Sequence, residues 1–297
     1  MHPRALFWAT FALTAHAANI ILSNDDGWAE KNIRVLYDTL TTAGESVVIS
    51  APAEDESGSG SDNAPPTEVT DGCEFDSCPP GSPAVGSNSS MPRFNYVNSY
   101  PATAMLYGIQ NSSLEFFGGP PDLAVAGFNV GDNTGLSVLI SGTVGAATEA
   151  SLEGIPAIAF SGSTGSQVAW TTATQTYQSV YAALSTNVTQ TLIASGKPYL
   201  PDDIWLNVNY PSSNALQCSS AEDISFVLSR INAATLLAPA DVETCGSRRL
   251  PVETLVVDFP GCYASISVGN ATDKSDASAA DQAVVLEKLQ SILSCLP

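Results

Sequence analysis

Three observations on this sequence predict an α/β fold with a mostly parallel sheet covered by helices on both faces. Apolar runs of strand length alternate with longer segments of helical period. The runs are apolar throughout rather than at every second residue, as in strands buried on both faces. Gly, Pro, Asn and Asp mark the junctions between them.

The elements follow in order. "NIILS" (19–23) reads as the first buried strand. Ile33, Leu36, Tyr37 and Leu40 recur at i, i+3, i+4 and i+7, and Gly44 stands in the C-cap role, so a helix follows. "SVVISAP" (46–52) is the second strand. Residues 53–90 are rich in Ser, Gly, Pro and Asp with nothing periodic beyond a strand or two. That is long for a structureless loop, which marks it as a functional segment or an insertion stapled by Cys73 and Cys78. A helix returns at 101–109, then strands at "DLAVAG" (122–127) and "LSVLI" (136–140), a helix at 143–154 and a strand at 156–162. A long helical stretch runs from Ala169 to Ser195. Past Pro201 separate strands are expected at 203–210, 224–230, 250–259 and 262–268, before a C-terminal helix over 276–294. The organisation expected is a leader at 1–17, a core at 18–200 with an insertion loop over 53–98, and a β-rich extension with a C-terminal helix at 201–297.

The leader reading rests on Arg4, the apolar run Ala5 to Leu13, and Ala15-His16-Ala17, which has the small-x-small form of a signal-peptidase site. Secretion with cleavage after Ala17 is expected. N-x-[ST] sequons at Asn88, Asn111, Asn187 and Asn270 fit a glycosylated product. The six cysteines suit disulfides in an oxidising compartment. Cys73 and Cys78 are expected to close a small loop of their own, whereas Cys218, Cys245, Cys262 and Cys295 allow three pairings.

Charge and composition narrow the chemistry. Thirty acidic against ten basic residues give a net charge of -20, which argues against nucleic-acid polymers and anionic membranes as partners. The two histidines, His2 and His16, fall within the expected leader, so a mature chain would hold none. That excludes Ser-His-Asp triads, Cys-His dyads, HExxH zinc sites and phosphohistidine chemistry.

In an open parallel sheet ligands sit at the carboxyl ends of strands. Collecting the residues there yields Asn24, Asp25, Asp26 and Gly27 after the first strand and Ser57 after the second. "FNVGDN" adds Asn129 and Asn133, and "SGTVGAA" adds Ser141, Gly142 and Thr143. Two carboxylates, a hydroxyl and an amide oxygen form an all-oxygen set suited to Mg2+ or Mn2+, with Ca2+ as a further candidate. A hydroxyl and glycine at a helix start suit a phosphate. Read singly, each stretch is also an ordinary turn or helix cap. Their co-occurrence at strand ends of one sheet is what points to a site.

"IILSNDDGWAEKNIRVLYDTL", "VVISAPAEDESGSG", "DLAVAGFNVGDN", "SGTVGAATEASLEGIPAIAFS" and "WLNVNYP" resemble, in order and spacing, the SurE family of survival-protein phosphatases, or 5'/3'-nucleotidases. The resemblance is densest before Ser161 and thins after Pro211. It implies a Rossmann-like three-layer core, a smaller β-rich part used in homodimer or higher assembly, and divalent-metal-dependent hydrolysis of small phosphomonoesters. By motif it implies Asp25, Asp26, Ser57 and Asn129 as metal ligands and Asn24, Asn133, Ser141, Gly142 and Thr143 around the phosphate, with Asp25, Asp26 and Asn24 as the catalytic group. Where family members commonly carry Gly-His-Ser after the serine loop, this chain reads "SGSGSDNAPP". The signal, sequons and acidity make fungal secreted acid phosphatases the nearest kind. A secreted, noncatalytic calcium- or carbohydrate-binding module is the rival reading; it gives no reason for an anion-binding helix start beside the carboxylates.

Overall fold

Ile20, Ile21 and Leu22 lie fully buried in β1 (Asn19–Ser23), which occupies the middle of the sheet. The computed structural model describes residues 17–297, so the expected leader, with His2 and His16, falls outside the described residues except for Ala17. After β1 come α1 (Lys31–Thr42), β2 (Ser46–Pro52), β3 (Val85–Asn88), β4 (Met91–Val97), α2 (Pro101–Tyr107), α3 (Ser113–Phe117), β5 (Leu123–Val130) and α4 (Gly142–Leu152). The second half adds β6 (Ala157–Gly162), α5 (Thr176–Ala194), β7 (Ile204–Tyr210), β8 (Ser225–Ser229), α6 (Glu253–Val257), β9 (Tyr263–Asn270), α7 (Ala279–Leu289) and β10 (Leu293–Ser294).

The ten strands among the described residues form one mixed sheet in the order β10-β8-β9-β7-β6-β5-β1-β2-β4-β3. Only the β3/β4 and β7/β9 pairs are antiparallel. The strands after Pro201 therefore continue the same sheet, β7 running parallel to β6. Alternation along each strand divides the core into two layers. Ile20, Leu22, Val47 and Ile49 pack with Ile33, Leu36 and Tyr181 from α1 and α5. Ile21, Val48, Ala124 and Ala159 face the other way, onto Met105 of α2 and Val144 and Ala147 of α4. Where α4 meets that second face the strands supply alanines, so the helix approaches closely and is buried along nearly its whole length. β2 and β5 flank β1 on opposite sides, and the crevice at the carboxyl ends of β1 and β5 is the switch point of the sheet.

Two expected strands are corrected. Residues 136–140 form a 3-10 turn (Gly135–Leu139) that leads into α4, with Leu136, Leu139 and Ile140 exposed. A strand there would require a sheet neighbour, and β5 already pairs with β1 and β6 on its two edges. Within 250–259, a single bridge from Val252 to Arg230 is followed by the short helix α6. Glu253 opens that helix with its side chain fully buried, where it accepts hydrogen bonds from Gly135 N, Asn207 Nδ2 and Ser267 Oγ. The C-terminal helix is shorter than expected, α7 ending at Leu289 before β10. Cys73 bonds Cys78, and the four other cysteines pair as Cys218–Cys262 and Cys245–Cys295. No helix among the described residues is long and apolar enough to cross a membrane.

Candidate active site

The turn after β1 carries Asn24, Asp25 and Asp26, all at least 97% buried. Gly27 makes the turn possible: its φ of +102° is one that side-chain-bearing residues rarely adopt. Asn24 Nδ2 donates to Gly27 O at 2.9 Å, which closes the turn, while Asn24 Oδ1 is buried without a hydrogen-bond partner.

Asp25 meets the start of α4. Its Oδ1 accepts a hydrogen bond from the Thr143 hydroxyl. A Cβ on Gly142 would lie 2.8 Å from Asp25 Cβ and 2.9 Å from Ser59 Oγ, so only glycine lets the helix start approach the aspartate this closely. Ser141 is the N-cap of α4, its Oγ accepting from Val144 N at 3.1 Å. Asp26 turns toward the end of β5: Val130 N donates to its Oδ2 at 3.1 Å and Gln167 Nε2 to its Oδ1 at 2.9 Å. Asn129 is thereby brought beside the pair, with its Nδ2 committed to Val130 O and Gly131 O at 3.1 and 2.8 Å.

Two expected residues spend their hydrogen bonds on groups other than the aspartates. Ser57 is exposed and its hydroxyl donates to Asp55 Oδ1 at 2.6 Å; its loop is tied to the aspartates through Glu56 N, which donates to Asp25 O at 2.8 Å. Asn133 is buried in a polar network, its Nδ2 donating to Ser161 Oγ at 2.9 Å and its N to Asn209 Oδ1 at 2.8 Å. Asn207 and Asn209 in turn donate to Asn133 O. Sequence reasoning missed Gln167 and Ser59. Gln167 lies in the loop after β6, where the strand-end rule, applied once more, would have found it.

Electrostatically the turn is an uncompensated acidic site. Burial pushes Asp25 above the ordinary carboxylate range, opposed by hydrogen bonds from Thr143. Burial also pushes Asp26 up, and the charge of Asp25 adds to the shift. Glu30, fully buried, is pushed up to about 9 by burial and then by Asp26. Glu74 is pushed up to about 8 by burial, with the Ala29 N–H opposing and Asp26 adding. Among the described residues neither aspartate is ion-paired to Lys or Arg. Arg34, the nearest buried guanidinium by sequence, donates through Nε to Trp28 O and stacks 4.0 Å from the Phe94 ring centre.

The donor chemistry fits a hard divalent cation. Two adjacent buried carboxylates lack a cationic partner, and an amide oxygen, Asn24 Oδ1, lacks any partner. No cluster of three or more His, Cys, Asp or Glu is placed to hold a metal among the described residues, so neutral oxygens would have to complete the set. Beside it, the amide end of α4 and the Ser141–Thr143 segment offer an anion site at a helix N-terminus.

Comparison with known proteins gives concordant matches. The model of the family described as "Survival protein SurE" matches residues 20–234. An acid phosphatase of Yarrowia lipolytica is 32% identical over 300 residues, covering 91% of this chain and 84% of that protein. A 5'-nucleotidase SurE of Lawsonia intracellularis is 32% identical over 199 residues, covering 65% of this chain and 66% of that protein. The crystal structure of the SurE protein from Aquifex aeolicus superposes with a TM-score of 0.60 at 21% identity, over 91% of this chain and 99% of that one.

Proposed function

Because the chain belongs to the survival protein SurE family, we propose that it is a secreted, divalent-metal-dependent phosphomonoesterase that cleaves small substrates such as nucleoside monophosphates, in the manner of an acid phosphatase. Hydrolysis of phosphoric monoesters is the activity named in its acid phosphatase and 5'-nucleotidase relatives. The observation that carries the finer reading is the contact between the two halves of the site: Thr143, at the helix start that suits a phosphate, donates directly to Asp25 of the buried carboxylate pair. A noncatalytic binding module has no use for that junction.

Asp25 and Asp26 would hold the cation, with Asn129 and Ser57 supplying neutral oxygens. The chemistry such a cation supplies when bound is a lowered water pKa and compensation of phosphoryl charge. Gln167 and Val130 N fix Asp26, and Thr143 fixes Asp25. Asp25 would orient the attacking water or take its proton and Asp26 would supply the second carboxylate, while Asn24 keeps the turn closed through Gly27 O. The N–H groups at the start of α4, with Ser141, Gly142 and Thr143, would bind the non-bridging phosphate oxygens, and Asn133, whose donors go to Ser161 and Asn209, would line the site behind them; phosphoryl transfer depends largely on such positioning and electrostatics. The three disulfides and the expected leader support secretion.

The test is a panel of phosphomonoesters assayed from pH 4 to 8 with and without EDTA. Hydrolysis should vanish on chelation and return with Mg2+ or Mn2+. Hydrolysis indifferent to EDTA and to added metal would overturn the proposal.

A further inference from the structure

The disulfide-closed part of the 53–98 insertion reaches the aspartate turn. Cys73 N donates to Cys78 O at 3.0 Å across the loop that the Cys73–Cys78 bond closes. Inside that loop Phe75 and Asp76 hold φ of 52° and 56°, a left-handed conformation that non-glycine residues keep only where their surroundings enforce it. The loop is pinned to the end of β2, Glu74 N donating to Ala53 O at 3.2 Å. The Glu74 carboxylate accepts from Ala29 N at 2.9 Å. It also covers the bare face of Gly27, where a Cβ would lie 2.2 Å from Glu74 Oε1. The same turn is held from two other directions, by Asn24 Nδ2 on Gly27 O at 2.9 Å and by Trp28 N donating to Pro52 O at 2.8 Å.

We propose that the Cys73–Cys78 loop is a clamp on the metal-binding turn, in which Glu74 grips Gly27 and Ala29 and so positions the Asp25–Asp26 pair for a divalent cation. The inference rests on the divalent-cation reading given above. Glu74 is a positioning residue: it holds backbone next to the ligands. Its grip uses shape and one accepting oxygen, both of which glutamine retains and alanine lacks. A turn released on one side spends part of its time with the two carboxylates apart, and the loss then appears in cation affinity. Outer-shell supports of metal ligands are typically worth about 10- to 100-fold in affinity.

The experiment is calorimetric titration of Mn2+ into the metal-free full chain, with circular dichroism confirming the fold of each variant. Glu74→Ala should weaken Mn2+ binding about tenfold, with hydrolysis recovering as Mn2+ is raised. Glu74→Gln should bind within about twofold of wild type, because it rebuilds the grip without the charge. A Cys73→Ser/Cys78→Ser double variant should resemble Glu74→Ala, which tests the loop without touching the carboxylate. Wild-type affinity in Glu74→Ala overturns the clamp, and so does a Glu74→Gln protein as weak as the alanine form. A wild-type chain that binds no Mn2+ overturns the divalent-cation reading and the clamp together, whereas a wild-type chain that binds Mn2+ leaves that reading standing whatever Glu74 does.

Discussion

Asp25 and Asp26 are covered on every side and oppose each other, so each substitution has two separable consequences. In the proposed divalent-cation site, Asp25→Asn or Asp26→Asn would remove an anionic ligand and should lower kcat/KM about 100-fold or more. The same change relieves burial of charge, so the melting temperature in EDTA should hold or rise. Calorimetry of the metal-free proteins beside kinetics at saturating Mg2+ checks both; wild-type turnover in either variant would remove the pair from the site. Thr143 is a sharper case, because its single hydroxyl proton goes to Asp25 here and would be available to a phosphate oxygen once a cation occupied that carboxylate. Thr143→Ala should lower kcat/KM by about one to two orders of magnitude and weaken competitive inhibition by inorganic phosphate. Unchanged phosphate inhibition with a lowered melting temperature would reduce Thr143 to a structural role.

At the scale of elements, α4 owes its place to small residues. Ala146, Ala147 and Ala150 meet Ala124, Ala126, Ala157 and Ala159 across one face of the sheet, which brings the N-terminus of the helix against Asp25. Ser141 caps that helix through Val144 N, and Ser141→Ala should cost about 1 kcal/mol in urea unfolding. Loss of stability with unchanged phosphate inhibition would show that the cap alone accounts for Ser141. The 3-10 turn before α4 was illegible as such: "LSVLI" has strand composition, and only the occupied edges of β5 forbid a strand there. Likewise the run 250–259 reads as a strand until the buried Glu253 side chain, bound to Gly135, Asn207 and Ser267, draws it into a helical turn.

For the molecule as a whole, buried acids set the response to pH. Glu253 is pushed up to about 8 by burial, opposed by its hydrogen bonds, and Glu30 and Glu74 are raised to about 9 and about 8. In each case the folded state keeps a proton that the unfolded chain releases near the ordinary value of 4.5. Between that value and the raised ones the folded protein binds more protons than the unfolded, so stability present at low pH is lost as pH rises. Urea unfolding in EDTA should therefore give a lower free energy at pH 8 than at pH 5, and Glu253→Gln should flatten the slope. A stability that rises over this interval would contradict the burial of these acids. The Cys218–Cys262 and Cys245–Cys295 bonds, spanning 44 and 50 residues, tie the loops of the C-terminal part to β9 and to the chain end. Cys218→Ser/Cys262→Ser should cost about 2 to 5 kcal/mol, read as a shifted urea midpoint.

The sequence by itself determined β1, β2, β5, β6, β7 and the helices between them, though not the turns at 136–140 and 250–259, and with them the strand ends at which Asn24, Asp25, Asp26 and Asn129 lie and the helix start at Ser141 to Thr143, because hydrophobic period and turn chemistry are local properties of the chain. It also carried the family motifs, which sit in those same turns. Tertiary structure alone decided which strands are neighbours, and so that β1 and β5 open the crevice between them. It decided the pairing of four cysteines, the hydroxyl bond from Thr143 to Asp25, and the contact of Gln167 with Asp26 across 141 residues. Glu74 belongs to the same group: the neighbouring Cys73 marks its loop, but its proximity to Gly27 arises only because that disulfide loop folds back over the end of β2. Contacts between distant segments depend on the packing of the whole sheet, and local pattern holds no record of them.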